Sequence, residues 1–299
     1  MLREGAPAPF GRLLSAMVTP FDVAGGLDLD TAQALATWLV DEQGHDGLVV
    51  NGTGGEAPTT TDAEKSDLVR AVVEAVGDRA AVVAGVGTND TVHTVHLAQG
   101  AAKAGADAML VVTPYYNKPP QAGIAAHMRV VADSTDLPVM VYDIPARSGV
   151  AIEPATLVEL AAHERIVAVK DAKGDVTSTA RVIAETGIAY YAGNDAEVLP
   201  WLAVGAVGLV GTATQLVGPD SAALFRAWEA GDHAEALRLH RRLWPVYTGI
   251  FATQGAILAK AGLRLLGRDT GPVRLPLVDA TEHQVSHLRA DMAAAGLPV

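Results

Sequence analysis

The chain carries the run Ile166-Val167-Ala168-Val169-Lys170-Asp171, in which four apolar residues lead directly into a lysine and an aspartate. Such a run is typical of a strand buried on both faces, as in a parallel sheet covered by helices. A lysine at the carboxyl end of this strand is partly removed from water, which favours its neutral amine. A neutral amine can attack a carbonyl carbon and form a Schiff base, although Lys170 could instead extend past the strand end into solvent.

Similar β-rich apolar runs recur along the chain, with helical patterns between them. Strands that alternate with helices predict βα units around a parallel sheet, and eight such units are the number that closes a (β/α)8 TIM barrel. An open doubly wound sheet is the alternative, but the regular spacing favours closure. The eight predicted strands are residues 13–18, 47–51, 81–85, 108–112, 138–142, 166–170, 189–192 and 207–210.

Capping residues mark the starts of several predicted helices. Asp28 or Asp30 can cap a helix that Gly44 ends, and the sequence Thr61-Asp62-Ala63-Glu64 is a capping box. The last predicted strand ends near residue 211, and the remaining chain is longer than one outer helix. We therefore expect residues 1–217 to form the barrel and residues 218–299 to form a C-terminal helical extension.

Composition excludes several classes of protein. The 299 residues carry a formal net charge of −12, so binding to nucleic acid or to an anionic membrane is not expected. The sequence has no cysteine, which excludes a disulfide framework, a thiolate nucleophile and a cysteine zinc site. Residues 1–7 lack the apolar core of a signal peptide, and no apolar stretch is long enough to span a membrane. We expect a soluble cytoplasmic protein.

Polar residues concentrate at the carboxyl ends of the predicted strands, where the active site of a TIM barrel lies. A lysine, phenols, a hydroxyl and an arginine together suit imine chemistry, with an amine to attack, a phenol to move protons and a guanidinium to hold a carboxylate. Taken singly, each has a structural explanation: Thr53 could stabilise a turn, Tyr142 could pack at the barrel rim, and Arg147 could pair with a surface acid. The segments are residues 51–56, 113–119, 142–147, 170–171, 193–195 and 208–212.

Two histidine pairs have spacings that would allow a shared metal ion on a helix. His93 and His96 are three residues apart, and His283 and His287 are four apart. Neither pair contains the glutamate of an H-E-x-x-H motif, and both lie away from the strand ends. We therefore expect no metal site.

Four segments resemble those of the dihydrodipicolinate synthase and N-acetylneuraminate lyase family, and the likeness runs from about Leu13 to the C-terminal tail. The resemblance implies a TIM barrel that acts as a pyruvate-dependent Schiff-base lyase and needs no metal or organic cofactor. It also implies a homodimer, or a homotetramer built as a dimer of dimers. The segments are Gly52-Thr53-Gly54-Gly55-Glu56, Thr113-Pro114-Tyr115-Tyr116-Asn117-Lys118-Pro119, Tyr142-Asp143-Ile144-Pro145-Ala146-Arg147-Ser148 and Val169-Lys170-Asp171.

The resemblance also implies a role for each matching residue. Lys170 would form the imine with pyruvate, and Tyr142 would be the acid and base that moves protons. Thr53 would link Tyr142 to Tyr116, which would come from a neighbouring subunit. Arg147 would hold the carboxylate of the second substrate.

Other matching residues concern pyruvate binding. Gly193 and Val210 would line the pyruvate pocket, and Gly54 occupies a substrate-binding position. Two departures from the family pattern remove hydroxyl groups near the site, since Gly54 replaces a usual threonine and Gly211 replaces a usual serine. Both changes leave the Schiff-base chemistry in place and make the second substrate the open question.

The resemblance implies condensation of pyruvate with L-aspartate 4-semialdehyde to 4-hydroxy-tetrahydrodipicolinate, a step of lysine and diaminopimelate biosynthesis. Two alternatives stay open. The chain could be a paralogous pyruvate aldolase or dehydratase that acts on a sugar acid or another aldehyde. It could also be a catalytically silent barrel that binds a metabolite.

Some members of this family are inhibited by lysine bound at the dimer interface. At the positions that match this binding site, the chain keeps Asn89 and Tyr115, but Asp62 and Lys65 stand where sensitive members usually have histidines. His93 replaces a usual glutamate. A lysine ligand would lose an acidic partner and meet the like charge of Lys65, so we expect insensitivity to lysine.

Overall fold

The computed structural model describes residues 8–299, so residues 1–7 and the signal-peptide argument that rests on them lie outside the described part. Eight parallel strands form a closed barrel in which each strand pairs with the next and β8 pairs with β1. The predicted TIM barrel is thereby confirmed, with strand ends that differ from the predicted ones by at most two residues. The strands are β1 (Leu13–Ala16), β2 (Gly47–Val50), β3 (Ala81–Gly85), β4 (Ala108–Val112), β5 (Val139–Asp143), β6 (Ile166–Asp171), β7 (Ala189–Ala192) and β8 (Gly208–Gly211).

Helices cover the outside of the barrel, and their caps follow from the sequence. Asp28 accepts a hydrogen bond from the backbone N–H of Thr31, and Thr61 and Glu64 form the predicted capping box. The helices are α1 (Leu29–Asp41), α2 (Asp62–Val76), α3 (Thr91–Lys103), α4 (Gln121–Ala132), α5 (Pro145–Ser148), α6 (Pro154–Leu160), α7 (Val176–Thr186), α8 (Val198–Ala203), α9 (Thr214–Glu229), α10 (His233–Gly249), α11 (Gly255–Leu265) and α12 (Glu282–Ala294). Short 3₁₀ helices span Ala57–Thr59 and Asp195–Glu197.

Side chains alternate along the strands between two cores, because successive residues of a strand point to opposite faces. One core fills the inside of the barrel and includes Leu14, Val49 and Met140. The other lies between the strands and the helices and includes Leu48 and Val141. A residue at a strand end therefore points either into the barrel mouth or outward to the helices.

The chain beyond the barrel is mostly helical. The predicted boundary between residues 217 and 218 falls inside α9, at a kink where Val217 has non-helical angles of φ −129° and ψ 32°. Helices α10, α11 and α12 follow, and α10 packs on α9 and α12. Within residues 8–299, no helix is both long and apolar enough to cross a membrane.

Candidate active site

Lys170 and Tyr142 are direct neighbours across strands β6 and β5. Both side chains point into the barrel and are 4% exposed. The Lys170 Nζ lies over the Tyr142 ring, 4.3 Å from the ring centre. The structure therefore brings the predicted amine nucleophile and the predicted acid–base residue into contact.

A β-bulge in β6 determines that Lys170 pairs with Tyr142. Val139 pairs with Ile166, but Met140 pairs with Ala168, so Val167 is an extra residue on β6. Without this extra residue, the register set by Val139 and Ile166 would continue, and Val169 would pair with Tyr142. Bulges often re-aim a side chain beside an active site. Here the bulge places Lys170 in the barrel interior and opposite Tyr142.

Burial adapts Lys170 to nucleophilic chemistry. Removal from water lowers the pKa of Lys170 to about 8, although the nearby carboxylate of Asp195 opposes this effect. Asp195 is fully buried and accepts hydrogen bonds from the backbone N–H groups of Thr212 and Thr214, at 3.0 and 3.3 Å. The amine is therefore much more often neutral at physiological pH than an exposed lysine.

Asp195 belongs to the strand-end segment 193–195, but the sequence assigns it no role in the site. Nothing in the sequence indicates that this carboxyl would be buried near Lys170, since that depends on how the loop after β7 folds against the end of β8.

Tyr142 is held in its protonated form. Burial raises the pKa of Tyr142 to about 12, and the Thr53 side chain and the Arg147 charge only partly oppose this effect. Thr53 follows β2, and Arg147 is an exposed residue of α5. At neutral pH the phenol therefore carries a proton that it can donate. The Thr53 side chain and the Arg147 charge would stabilise the phenolate that remains.

The predicted glycines lie where the backbone closes tightly around the site. A β-carbon at Gly54 would lie 2.9 Å from the carbonyl oxygen of Ala16, and one at Gly193 would lie 2.8 Å from that of Asp171. A β-carbon at Gly211 would collide with the carboxylate of Asp195. The two departures from the family pattern, Gly54 and Gly211, thus fit local packing that leaves no room for a larger residue without movement.

The two remaining predicted residues, Val210 and Tyr116, differ in burial. Val210 is fully buried inside the barrel, in the same core as Tyr142. Tyr116 instead lies in the loop after β4, with its side chain 88% exposed and its φ at +73°. A tyrosine with positive φ is uncommon and strained. Within one chain Tyr116 is not packed into the barrel mouth, so any contact with Thr53 requires a second subunit.

The histidine pairs lie on the exposed surface. His93 Nε2 lies 3.0 Å from Asp62, and the rings of His283 and His287 pack against each other. Across the described chain from residue 8 onward, no cluster of three histidine, aspartate or glutamate side chains is arranged to hold a metal ion.

The family model of the dihydrodipicolinate synthetase family matches residues 9–295. A protein named 4-hydroxy-tetrahydrodipicolinate synthase from Acidothermus cellulolyticus is 65% identical over 97% of this chain and 94% of its own. The dihydrodipicolinate synthase DapA-2 of Bacillus anthracis has a solved structure with a TM-score of 0.93 and 40% identity, covering 97% of this chain and 99% of its own. A structure of the enzyme from Cyanidioschyzon merolae with lysine bound has a TM-score of 0.94 and 41% identity, covering the same shares.

Proposed function

Because the chain belongs to the dihydrodipicolinate synthetase family, we propose that it condenses pyruvate with L-aspartate 4-semialdehyde to 4-hydroxy-tetrahydrodipicolinate. The observation that carries this proposal is the buried Lys170 amine beside the Tyr142 phenol, at the mouth of a closed barrel. An amine with a lowered pKa attacks a ketone, and an adjacent phenol supplies the protons that this attack requires.

The Lys170 amine attacks the keto carbon of pyruvate, and a carbinolamine forms. The Tyr142 phenol gives its proton to the departing hydroxyl, which leaves as water, and the imine remains. Loss of a methyl proton converts the imine to an enamine, whose carbon attacks the aldehyde of the second substrate. The amine of that substrate then displaces Lys170 from the imine carbon and frees the enzyme.

Thr53 and Arg147 support this sequence around Tyr142. The Thr53 hydroxyl takes and returns the proton that Tyr142 moves, and Arg147 holds the carboxylate of the second substrate. Both groups favour the ionised phenol, which supports their placement beside it. Gly54, Gly193 and Val210 shape the pocket in which pyruvate binds.

We further propose that the enzyme is a homodimer or a dimer of dimers. The exposed and strained Tyr116 supports this assembly, because its side chain needs a partner surface. Tyr116 of one subunit then reaches the Thr53 hydroxyl of the other. A location in the cytoplasm is part of the same proposal and follows from the biosynthetic reaction.

The second candidate is a paralogous pyruvate aldolase or dehydratase that acts on a sugar acid or another aldehyde. It is favoured by Gly54 and Gly211, which lack the hydroxyl groups of the family pattern. A barrel that only binds a metabolite is disfavoured by the lowered pKa of Lys170.

Product identification separates these candidates. The enzyme is incubated with pyruvate and, in turn, with L-aspartate 4-semialdehyde, other short aldehydes and sugar-acid aldehydes. We expect turnover with aspartate semialdehyde to exceed that with the other aldehydes and to give 4-hydroxy-tetrahydrodipicolinate. Turnover only with another aldehyde would establish the paralogue, and no turnover with any aldehyde would favour the binding protein.

A further inference from the structure

Two buried carboxylates stand directly behind the candidate catalytic pair. Asp143 follows Tyr142 at the end of β5, Asp171 follows Lys170 at the end of β6, and the two aspartates are themselves paired across the strands. Successive residues point to opposite faces, so the aspartates face the helices while Tyr142 and Lys170 face the barrel interior. Both aspartates are fully buried.

Lys173 lies between these carboxylates. Its Nζ is 3.4 Å from Asp143 Oδ2 and 3.8 Å from Asp171 Oδ2. The backbone N–H of Lys173 also donates to Asp171 Oδ1, at 2.7 Å, which fixes the turn that carries the lysine. Among residues 8–299, Lys173 is the only basic residue within ion-pair distance of either carboxylate.

We infer that Lys173 is a positioning residue for catalysis, whose ammonium joins Asp143 to Asp171 and so holds the ends of β5 and β6 at the spacing that Tyr142 and Lys170 need. This inference rests on the proposed function, because it takes Tyr142 and Lys170 as the catalytic pair. Each aspartate is one peptide bond from its catalytic neighbour, so a change in the spacing of the carboxylates is passed directly to the amine and the phenol.

Electrostatics make the ammonium necessary for this arrangement. Burial, together with the charge of Asp171, raises the pKa of Asp143 to about 6, and Lys173 opposes both effects. Burial also raises the pKa of Asp171, which Lys173 again opposes. Two buried carboxylates without a cation between them repel each other, and one of them takes up a proton.

The other groups around the pair do not replace this cation. The Thr179 hydroxyl donates to Asp171 and the backbone N–H of Ile152 donates to Asp143. Glu197 adds negative charge near Asp171. Burial and the charges of Asp171 and Asp143 raise the pKa of the nearby Tyr190, whose buried hydroxyl has no hydrogen-bond partner within the described residues. Three neutral groups and one further acid therefore surround a site whose charge balance depends on Lys173.

Compensating substitutions test the inference in the full-length enzyme. Lys173→Met removes the cation, and Lys173→Met with Asp143→Asn also removes the repulsion. Lys103→Met, at an exposed position at the end of α3, is the matched control. For each variant we measure the melting temperature, kcat, the pyruvate KM and the rate of borohydride-trapped imine formation on Lys170.

We expect Lys173→Met to lower kcat by about 10- to 100-fold, the cost of misplacing reacting groups by about an ångström, with a smaller change in KM. The double variant recovers most of this loss, whereas the control behaves as the wild type. The inference is overturned if folded Lys173→Met keeps the wild-type kcat, or if the folded double variant is no faster than the single one. A wild type that forms no trapped imine overturns the proposed function instead.

Discussion

Lys260 and Glu56 form an ion pair with 2.9 Å between Nζ and Oε1, and neither side chain is more than 2% exposed. Glu56 ends the loop that carries Thr53 and Gly54, whereas Lys260 belongs to α11. The same glutamate accepts a hydrogen bond from the backbone N–H of Arg274, at 2.8 Å. The C-terminal part of the chain is thus anchored directly to a loop of the candidate active site.

Removal of this anchor should destabilise the fold. Lys260→Met leaves the Glu56 carboxylate buried without its cation, a change that typically costs about 3–5 kcal/mol. Urea denaturation at fixed protein concentration measures the free energy of unfolding. Arg238→Met, which breaks an exposed pair with Glu235, is the control and should change little. If both variants lost similar stability, the buried pair would not have the structural role assigned to it.

The Tyr142 hydroxyl should be needed for proton transfer. Tyr142→Phe keeps the ring beside Lys170 and removes the hydroxyl, so we expect kcat to fall by about 100- to 10,000-fold, as for loss of a general acid–base group. Tyr191→Phe is the matched control, because Tyr191 also faces the barrel interior next to Lys170, but its hydroxyl donates to Gly11 O at 2.9 Å. Equal losses of kcat in the two variants would argue against a proton-transfer role for Tyr142.

The rate of imine formation should rise with pH. Burial lowers the pKa of Lys170 from 10.5 to about 8, so its neutral form increases as pH rises and levels off above that value. Below the pKa, each pH unit changes the neutral fraction by about tenfold. Stopped-flow mixing with pyruvate between pH 6 and pH 10 measures the rate. A rate that keeps rising to the top of this range would show an ordinary lysine pKa.

Lysine should not inhibit the enzyme, in contrast to what the lysine-bound relative would suggest. The Lys65 ammonium donates to the carbonyl and hydroxyl oxygens of Thr60, and Asp62 pairs with His93. These polar groups already have partners, and Lys65 adds a like charge for an incoming ammonium. Initial rates with increasing L-lysine provide the measurement. Half-inhibition at sub-millimolar L-lysine would contradict this expectation.

The strands and the positions of the candidate catalytic residues at the strand ends could be predicted from the sequence because they depend on local signals. Apolar runs mark buried strands, and a lysine or tyrosine at the end of such a run lies at the barrel mouth. Lys170 and Tyr142 meet these conditions. Thr61 could likewise be identified as a helix cap, and Asp28 is the one of the two candidates, Asp28 and Asp30, that caps α1.

The remaining features depend on contacts that sequence patterns do not encode. The bulge at Val167 is a matter of pairing between two strands, and an apolar run gives no sign of an extra residue. The partners Glu56 and Lys260 lie far apart in the chain, and no local pattern indicates that they meet. The position of Lys173 between two aspartates also depends on a distant residue, because Asp143 approaches it only through the pairing of β5 with β6.

Trapping of the pyruvate imine tests the central claim most directly. The enzyme is treated with pyruvate and sodium borohydride, digested, and analysed by mass spectrometry, with Lys170→Arg as the control. A single stable adduct of reduced pyruvate on Lys170, absent from the variant, is the predicted result. An adduct on another lysine, or no adduct at all, would contradict the assignment of Lys170 as the nucleophile.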